Sequence, residues 1–346
     1  MTDDAQRVFV IAEAGVNHNG QTDMALRLCD AALASGADAV KFQTFRAEDL
    51  VVRGAPTAQY QQRQTGAQDQ FAMLQSLELD EAAHRQIKAH CDAIGLEFFS
   101  TPFSVAALDM LVGLGVRRLK MSSGELTHRA LVEHAAATQL PLLLSTGMAT
   151  MQEIGEALTW VQAARGHQRD VVLMHCTSAY PAEDASLNLR AMEHMRCTFN
   201  LPVGYSDHSI GLEAPLAAAA LGACVIEKHL TLDCQLPGPD HSASLEPEPF
   251  ARMVAGLRRV QAMRGDGVKA PRSEELDTAR VARRSVVALQ ELAAGTVLRA
   301  DMLGCRRPAT GIAPRDLQAV VGLRLRHAVA QGVALNWSDL EQEPRA

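Results

Sequence analysis

Two histidines raise the question of chemistry. His208 lies in GYSDHSIG, Gly204–Gly211, directly after the strand-like NLPV. His229 closes the apolar run ACVIEKH, 21 residues further on. A lone histidine at a strand end is ordinarily just hydrogen-bonded, because metal sites are read from clusters. Two imidazoles with the other ligands drawn from substrate or water suit a divalent ion such as Mn²⁺, an open site that can activate a bound carbonyl. The rival is a general acid–base pair without metal. Structural zinc wants four protein ligands, which the sequence does not assemble.

Other chemistry-bearing residues close short apolar runs. Glu13 ends the first run, before AGVNHNG. Lys41 and Gln43 lie in KFQTF, Thr101 in FFSTPFS, and Lys120, Ser122, Ser123 and Glu125 in KMSSGE. Ser145 and Thr146 follow in LSTGM, His175, Ser178 and Tyr180 in HCTSAYP, Ser206 beside His208, and Lys228 beside His229. Lysines, hydroxyls and backbone N–H groups near glycine together make a site for a phosphate or carboxylate. Lys41 or Lys120 alone could instead be a salt bridge at the rim of a barrel, a reading weaker for the two together.

These residues share a site only if the runs that carry them converge. Eight runs read as strands: Val8–Ala14, Ala39–Thr44, Glu97–Thr101, Arg118–Ser122, Pro141–Ser145, Val171–His175, Pro202–Ser206 and Cys224–His229. Helical patterns separate them, several stopping at glycine. Eight βα units in the first 264 residues predict a closed (β/α)8 TIM barrel. A doubly wound sheet would carry a GxGxxG loop after its first strand, which AGVNHNG lacks. A barrel gathers the C-terminal strand ends into one mouth and makes His208 and His229 neighbours there.

The connection Arg46–Leu79 is long and leaves the same mouth, as a lid or substrate wall would. Residues 265–282 are polar and without a strong period, and read as a linker. From 283 to 346 short Val/Leu runs broken by glycine form a small module with a faint repeat, AGTVLRADML against QGVALNWSDL.

Composition bounds the function. The chain has 346 residues, 47% hydrophobic and 21% charged, with net charge −7, which argues against a general nucleic-acid binder. Seven cysteines without a CxxC read as reduced thiols. The start MTDDAQR is no signal peptide, and no apolar stretch reaches membrane-spanning length. A cytoplasmic protein is expected.

The motifs IAEAGVNHNG, KFQTF, FFSTPFS, KMSSGELT, LSTGM, HCTSAYP, GYSDHSIG, IEKHLTLD and PGPDHSASLEP, in this order, resemble the sialic acid synthase family. The last module, with RRPATGI, is similar to the antifreeze-like (SAF) domain that ends these enzymes. The resemblance implies condensation of phosphoenolpyruvate with an N-acylated mannosamine-type sugar, giving a nine-carbon 2-keto acid and phosphate. It implies that Lys41, Thr101, Lys120, Ser123, Ser145 and Ser206 hold phosphoenolpyruvate, and that His208 and His229 hold the metal. Manganese is the expected ion, with magnesium or cobalt as substitutes. Glu13, Gln43, Tyr180 and Asp240 would face the sugar or the attacking water, with Glu13 polarising or positioning that water. Arg307 would reach the sugar's acyl group from the partner chain of a domain-swapped homodimer. N-acetylmannosamine is the first expected sugar; the diacetamido trideoxy hexose of legionaminic acid synthases is the alternative. A non-catalytic sugar-binding protein is a third reading. Ser178, where some members carry Asn, and Ala309, where Gly often stands, depart from the family pattern on the expected sugar side.

Overall fold

The computed structural model describes residues 7–57, 62 and 66–341. The chain divides into two compact units, Met1–Gly265 and Asp266–Ala346. Eight strands of the first unit form one parallel sheet: β1 Phe9–Gly15, β2 Ala39–Thr44, β3 Glu97–Pro102, β4 Leu119–Met121, β5 Leu142–Ser145, β6 Val171–His175, β7 Val203–Asp207 and β8 Val225–His229. Their order is β3-β2-β1-β8-β7-β6-β5-β4, so first and last strands pair. The three-residue β4 also lies beside β3, which closes the expected (β/α)8 barrel. Strand ends fall within one or two residues of those read from the sequence.

Parallel barrel strands are covered on both faces and must be apolar almost throughout. All four residues of β5, LLLS, are buried accordingly. The helices are amphipathic in the matching way. In α1, Thr22–Ala34, the buried residues Ala25, Leu28, Cys29 and Ala32 recur at helical spacing on one stripe. The chain continues through α2 Ala47–Leu50, α3 Gln70–Gln75, α4 Glu81–Ile94, α5 Val105–Gly113, α6 Arg129–Ala137 and α7 Met151–Arg165. α4 and α7 begin on side-chain caps, Asp80 and Thr150, and end at Gly95 and Gly166 in left-handed conformation. α8 Ala191–Phe199, α9 Glu213–Ala220 and α10 Pro247–Arg264 complete the outer layer. At Gly204 a Cβ would fall 2.9 Å from the Val225 carbonyl oxygen, so β7 approaches β8 as only glycine permits.

Part of the long connection after β2 forms α2 and α3. Met73 and Leu77 pack there with Val16 and Phe45 in an apolar cluster of their own. Residues 58–61 and 63–65 of this connection lie outside the described residues.

The segment read as a linker is more ordered than its sequence suggests. It holds a 3-10 turn, Ser273–Glu275, running into α11, Leu276–Ala282. Local contacts account for this: Glu275 accepts from the Arg272 N–H at 2.8 Å, and Arg272 pairs with Asp266 at 2.9 Å. α11 itself buries no residue, so it has no apolar period and period-based reading passes over it.

The small unit pairs β9, Ser285–Ala288, with β10, Leu303–Arg306, and β11, Arg324–Leu325, with β12, Leu340–Glu341. The faint repeat is structural. Gly295 and Gly332 both turn with positive φ, and each copy continues through a 3-10 turn into a strand, β10 or β12.

Candidate active site

Register and pleat build the barrel mouth. Glu13 on β1 lies opposite Lys41 on β2 and His229 on β8. Gln43 lies opposite Thr101, and Ser206 opposite Glu227. Side chains alternate along a strand, so Lys41 and Gln43 share a face, as do Glu227 and His229. A cavity of about 530 Å³ opens among them. It is lined by Glu13, Lys41, Gln43, Thr101, Lys120 and Ser123, and further by Ser145, Tyr180, Ser206, His208, His229 and Asp240. The structure thus brings together every barrel residue expected to hold phosphoenolpyruvate, the sugar or the metal. Arg307 belongs to the smaller unit, exposed just after β10. Gln70, Met73, Leu74 and Leu77 also line the cavity, so the long connection supplies one wall.

Four charged groups alternate at the centre. Lys41 Nζ lies 2.6 Å from Glu13 Oε2 and 3.9 Å from Glu227 Oε1, and donates to Thr101 Oγ1 at 3.0 Å. Lys120 Nζ donates to both oxygens of Glu227, at 2.8 and 3.0 Å, and Ser206 Oγ donates to Oε1 at 2.9 Å. All four are buried. Their surroundings drive the two carboxyls apart. Burial would push Glu227 up, but Lys120 and Lys41 overcome it and hold the group down at about 2. Burial pushes Glu13 up to about 7 against the pull of Lys41, with the charge of Glu227 adding to the rise. Burial also raises Asp240, to about 6. The lysines thus favour the charged form of Glu227, while Glu13 and Asp240 are both pushed toward neutrality.

The histidine rings stand 5.6 Å apart, and Tyr180 stacks on His208 with ring centroids 4.2 Å apart. Burial lowers both imidazoles below the usual histidine range, and His229 further through His208 and Lys41, so both are neutral. His208 Nδ1 lies 2.8 Å from the Thr177 carbonyl oxygen. A carbonyl can only accept, so Nδ1 carries the proton and Nε2 keeps its lone pair. His229 Nδ1 is buried without a hydrogen-bond partner, 3.9 Å from Asp240 Oδ2. Two neutral rings, one oriented by a carbonyl and one with an orphaned nitrogen, fit a divalent ion. Among the described residues no group of three or more His, Cys, Asp or Glu side chains is placed to hold a metal. Remaining ligands would have to be oxygens of bound molecules.

Several strand-end residues turn away from the cavity. Lys228 is wholly buried on the opposite face of β8, donating to Asp207 Oδ2 and the Ser209 carbonyl, each at 2.5 Å. Asp207 also accepts from Tyr205 and Ser209, so its part is structural. His175 bonds the Leu187 carbonyl, Thr146 the Met174 carbonyl, and Glu125 pairs with His128. Reading the sequence missed Glu227, although period 2 from His229 points to it. It also missed Gly147, whose N–H donates to Ser123 Oγ at 3.0 Å. A Cβ there would lie 2.8 Å from both Ser123 Oγ and Cys176 Sγ.

Fold and site together define a class: a (β/α)8 barrel with a lysine–carboxylate mouth, followed by a SAF domain, whose family description matches residues 283–341. The chain belongs to the sialic acid synthase family; the description named NeuB family matches residues 28–269. It is 44% identical to the N,N'-diacetyllegionaminic acid synthase of Legionella pneumophila, over 96% of this chain and 94% of that protein. It is 40% identical to the protein of the same name from Campylobacter jejuni, over 92% and 95%. The crystal structure of N-acetylneuraminic acid (sialic acid) synthetase from Leptospira borgpetersenii superposes with a TM-score of 0.70 at 34% identity, covering 79% of this chain and 90% of that one. No helix among the described residues is long and apolar enough to cross a membrane.

Proposed function

We propose that this nonulosonic acid synthase condenses phosphoenolpyruvate with 2,4-diacetamido-2,4,6-trideoxymannose, releasing phosphate and a legionaminic-type acid. The observation that carries the reaction class is one cavity lined by Lys41, Lys120, the hydroxyls of Thr101, Ser123, Ser145 and Ser206, and the His208–His229 pair. The sugar is argued from the relatives. Those named for diacetyllegionaminic acid share 44% and 40% identity with this chain, against 34% for the sialic acid synthetase. N-acetylmannosamine is the second reading, favoured by the structural match to that synthetase.

Lys41 and Lys120, with Thr101, Ser123, Ser145 and Ser206, hold the phosphate and carboxylate of phosphoenolpyruvate. Gln43, Tyr180 and Asp240 hold the sugar so that its aldehyde carbon meets C3 of the enol. Fixing two substrates in one geometry removes much of the entropic part of the barrier. A divalent ion held by His208 and His229, manganese or in its place magnesium or cobalt, would supply Lewis-acid polarisation of the aldehyde. Glu13, poised near neutrality, positions the water that adds at C2 and takes up its proton. Phosphate leaves by cleavage of the C–O bond at C2. In a homodimer, Arg307 of the second chain would contact the sugar's acyl group.

The test is phosphate release with each sugar, with and without EDTA and added Mn²⁺. Release should require a sugar, be fastest with the diacetamido compound, cease on chelation and return with Mn²⁺. Activity that survives complete chelation removes the metal from the account. Sugar binding without phosphate release would point instead to a binding protein.

A further inference from the structure

Glu227 has no part in the roles just described, yet it holds the groups assigned to the anionic substrate. Lys120 grips it with two hydrogen bonds, Ser206 with one, and Lys41 stands 3.9 Å away. It lines the same cavity. Two buried ammonium groups sharing a small space repel each other, and burial disfavours their charge. A carboxylate between them offsets that repulsion and fixes where they point. It also means that an arriving anion meets lysines already partly neutralised.

Resting on the reading that this mouth binds a phosphorylated carboxylate, we propose that Glu227 is a positioning residue that competes with the anion for Lys120 and Ser206. It orients the lysines and keeps anion binding loose enough for phosphate to leave. Lysines free of it would bind substrate and product phosphate alike more tightly, and uniform tightening lowers KM without raising kcat.

Glu227→Gln separates this role from a structural one. The amide oxygen can still accept from Lys120 and Ser206, but the charge is gone. In Mn²⁺-loaded protein, calorimetric titration should show inorganic phosphate and phosphoenolpyruvate binding about tenfold or more tighter than to the parent. KM for phosphoenolpyruvate and kcat should fall together, and phosphate should become a stronger product inhibitor. A residue that merely supported the fold would weaken anion binding when changed. If Glu227→Gln does not fold, Lys120→Met and Lys120→Met/Glu227→Gln give the same comparison. The second substitution should recover about tenfold in anion affinity over Lys120→Met alone. Parent protein that binds neither anion overturns the functional reading and this inference with it. Parent protein that binds, with Glu227→Gln binding equally or more weakly, overturns the inference alone.

Discussion

Strand β8 carries two buried ion pairs, one on each face. Inward, Glu227 meets Lys120 and, at longer range, Lys41. Outward, Lys228 meets Asp207 at 2.5 Å, with neither side chain exposed. Both obey the rule that buried charges are paired. The outward pair is sealed: Asp207 is saturated by Lys228, Tyr205 and Ser209. The inward pair lines a cavity, and its neighbour Glu13 is driven up to about 7 while Glu227 is held at about 2. Burial and pairing alone therefore do not mark a functional lysine. Access to a cavity, with nearby carboxyls pushed apart in pKa, is what singles out Lys41 and Lys120 as candidates.

The largest effect should come from opening the inward set. Lys41→Met should lower phosphate release at least about 10³-fold, roughly 4 kcal/mol of transition-state stabilisation. Its thermal unfolding should shift little, because the Glu13 it leaves behind can take up a proton. Lys228→Met should do the reverse. It strands Asp207 in a sealed site and should cost about 3–5 kcal/mol in urea unfolding. Folded Lys228→Met protein should keep its KM for phosphoenolpyruvate within about twofold, since the lysine is outside the cavity.

A smaller effect concerns pH. The Glu13 carboxyl sits at about 7 in the fold against an ordinary 4.5, so folding binds a proton between those values. Metal-free protein should be stabilised fully below pH 4.5 and lose roughly 3 kcal/mol as the pH rises from 4.5 through 7. Glu13→Gln should flatten that slope in urea unfolding followed across the range, and an unchanged slope would remove the assignment. Smallest is the capping box of α7, where Thr150 Oγ1 accepts from the Glu153 N–H at 3.3 Å. Thr150→Ala should cost about 1 kcal/mol and leave both ion pairs and turnover untouched.

The barrel was legible because eight apolar runs alternate with helical patterns and finish in polar residues. That pattern follows from chain-local constraints: buried parallel strands must be apolar and mouths must be polar. Lys120, His208 and His229 stand out the same way, near strand ends, and Lys41 as the charge within KFQTF. Glu227 was not, because it precedes the end of its run and a lone Glu in VIEKH looks like part of the EK pair. Lys228 was grouped with the mouth for the same reason: strand ends were read as a set, without choosing a face. Phase is settled by register, and here Glu13 opposite His229 shows which face is inward. The helix Leu276–Ala282 was hidden because it buries no residue, so no apolar stripe gives it a period.

The central claim is that the inward residues of this mouth join phosphoenolpyruvate to an N-acylated mannosamine-type sugar. The most direct measurement is mass spectrometry of the product formed from phosphoenolpyruvate, each candidate sugar and Mn²⁺, with phosphate counted in the same tube. The account predicts a nine-carbon 2-keto acid and one phosphate per sugar consumed, with the diacetamido sugar turned over faster than N-acetylmannosamine. Phosphate release at the same rate with no sugar present, or no condensation product from any sugar of this class, would contradict it.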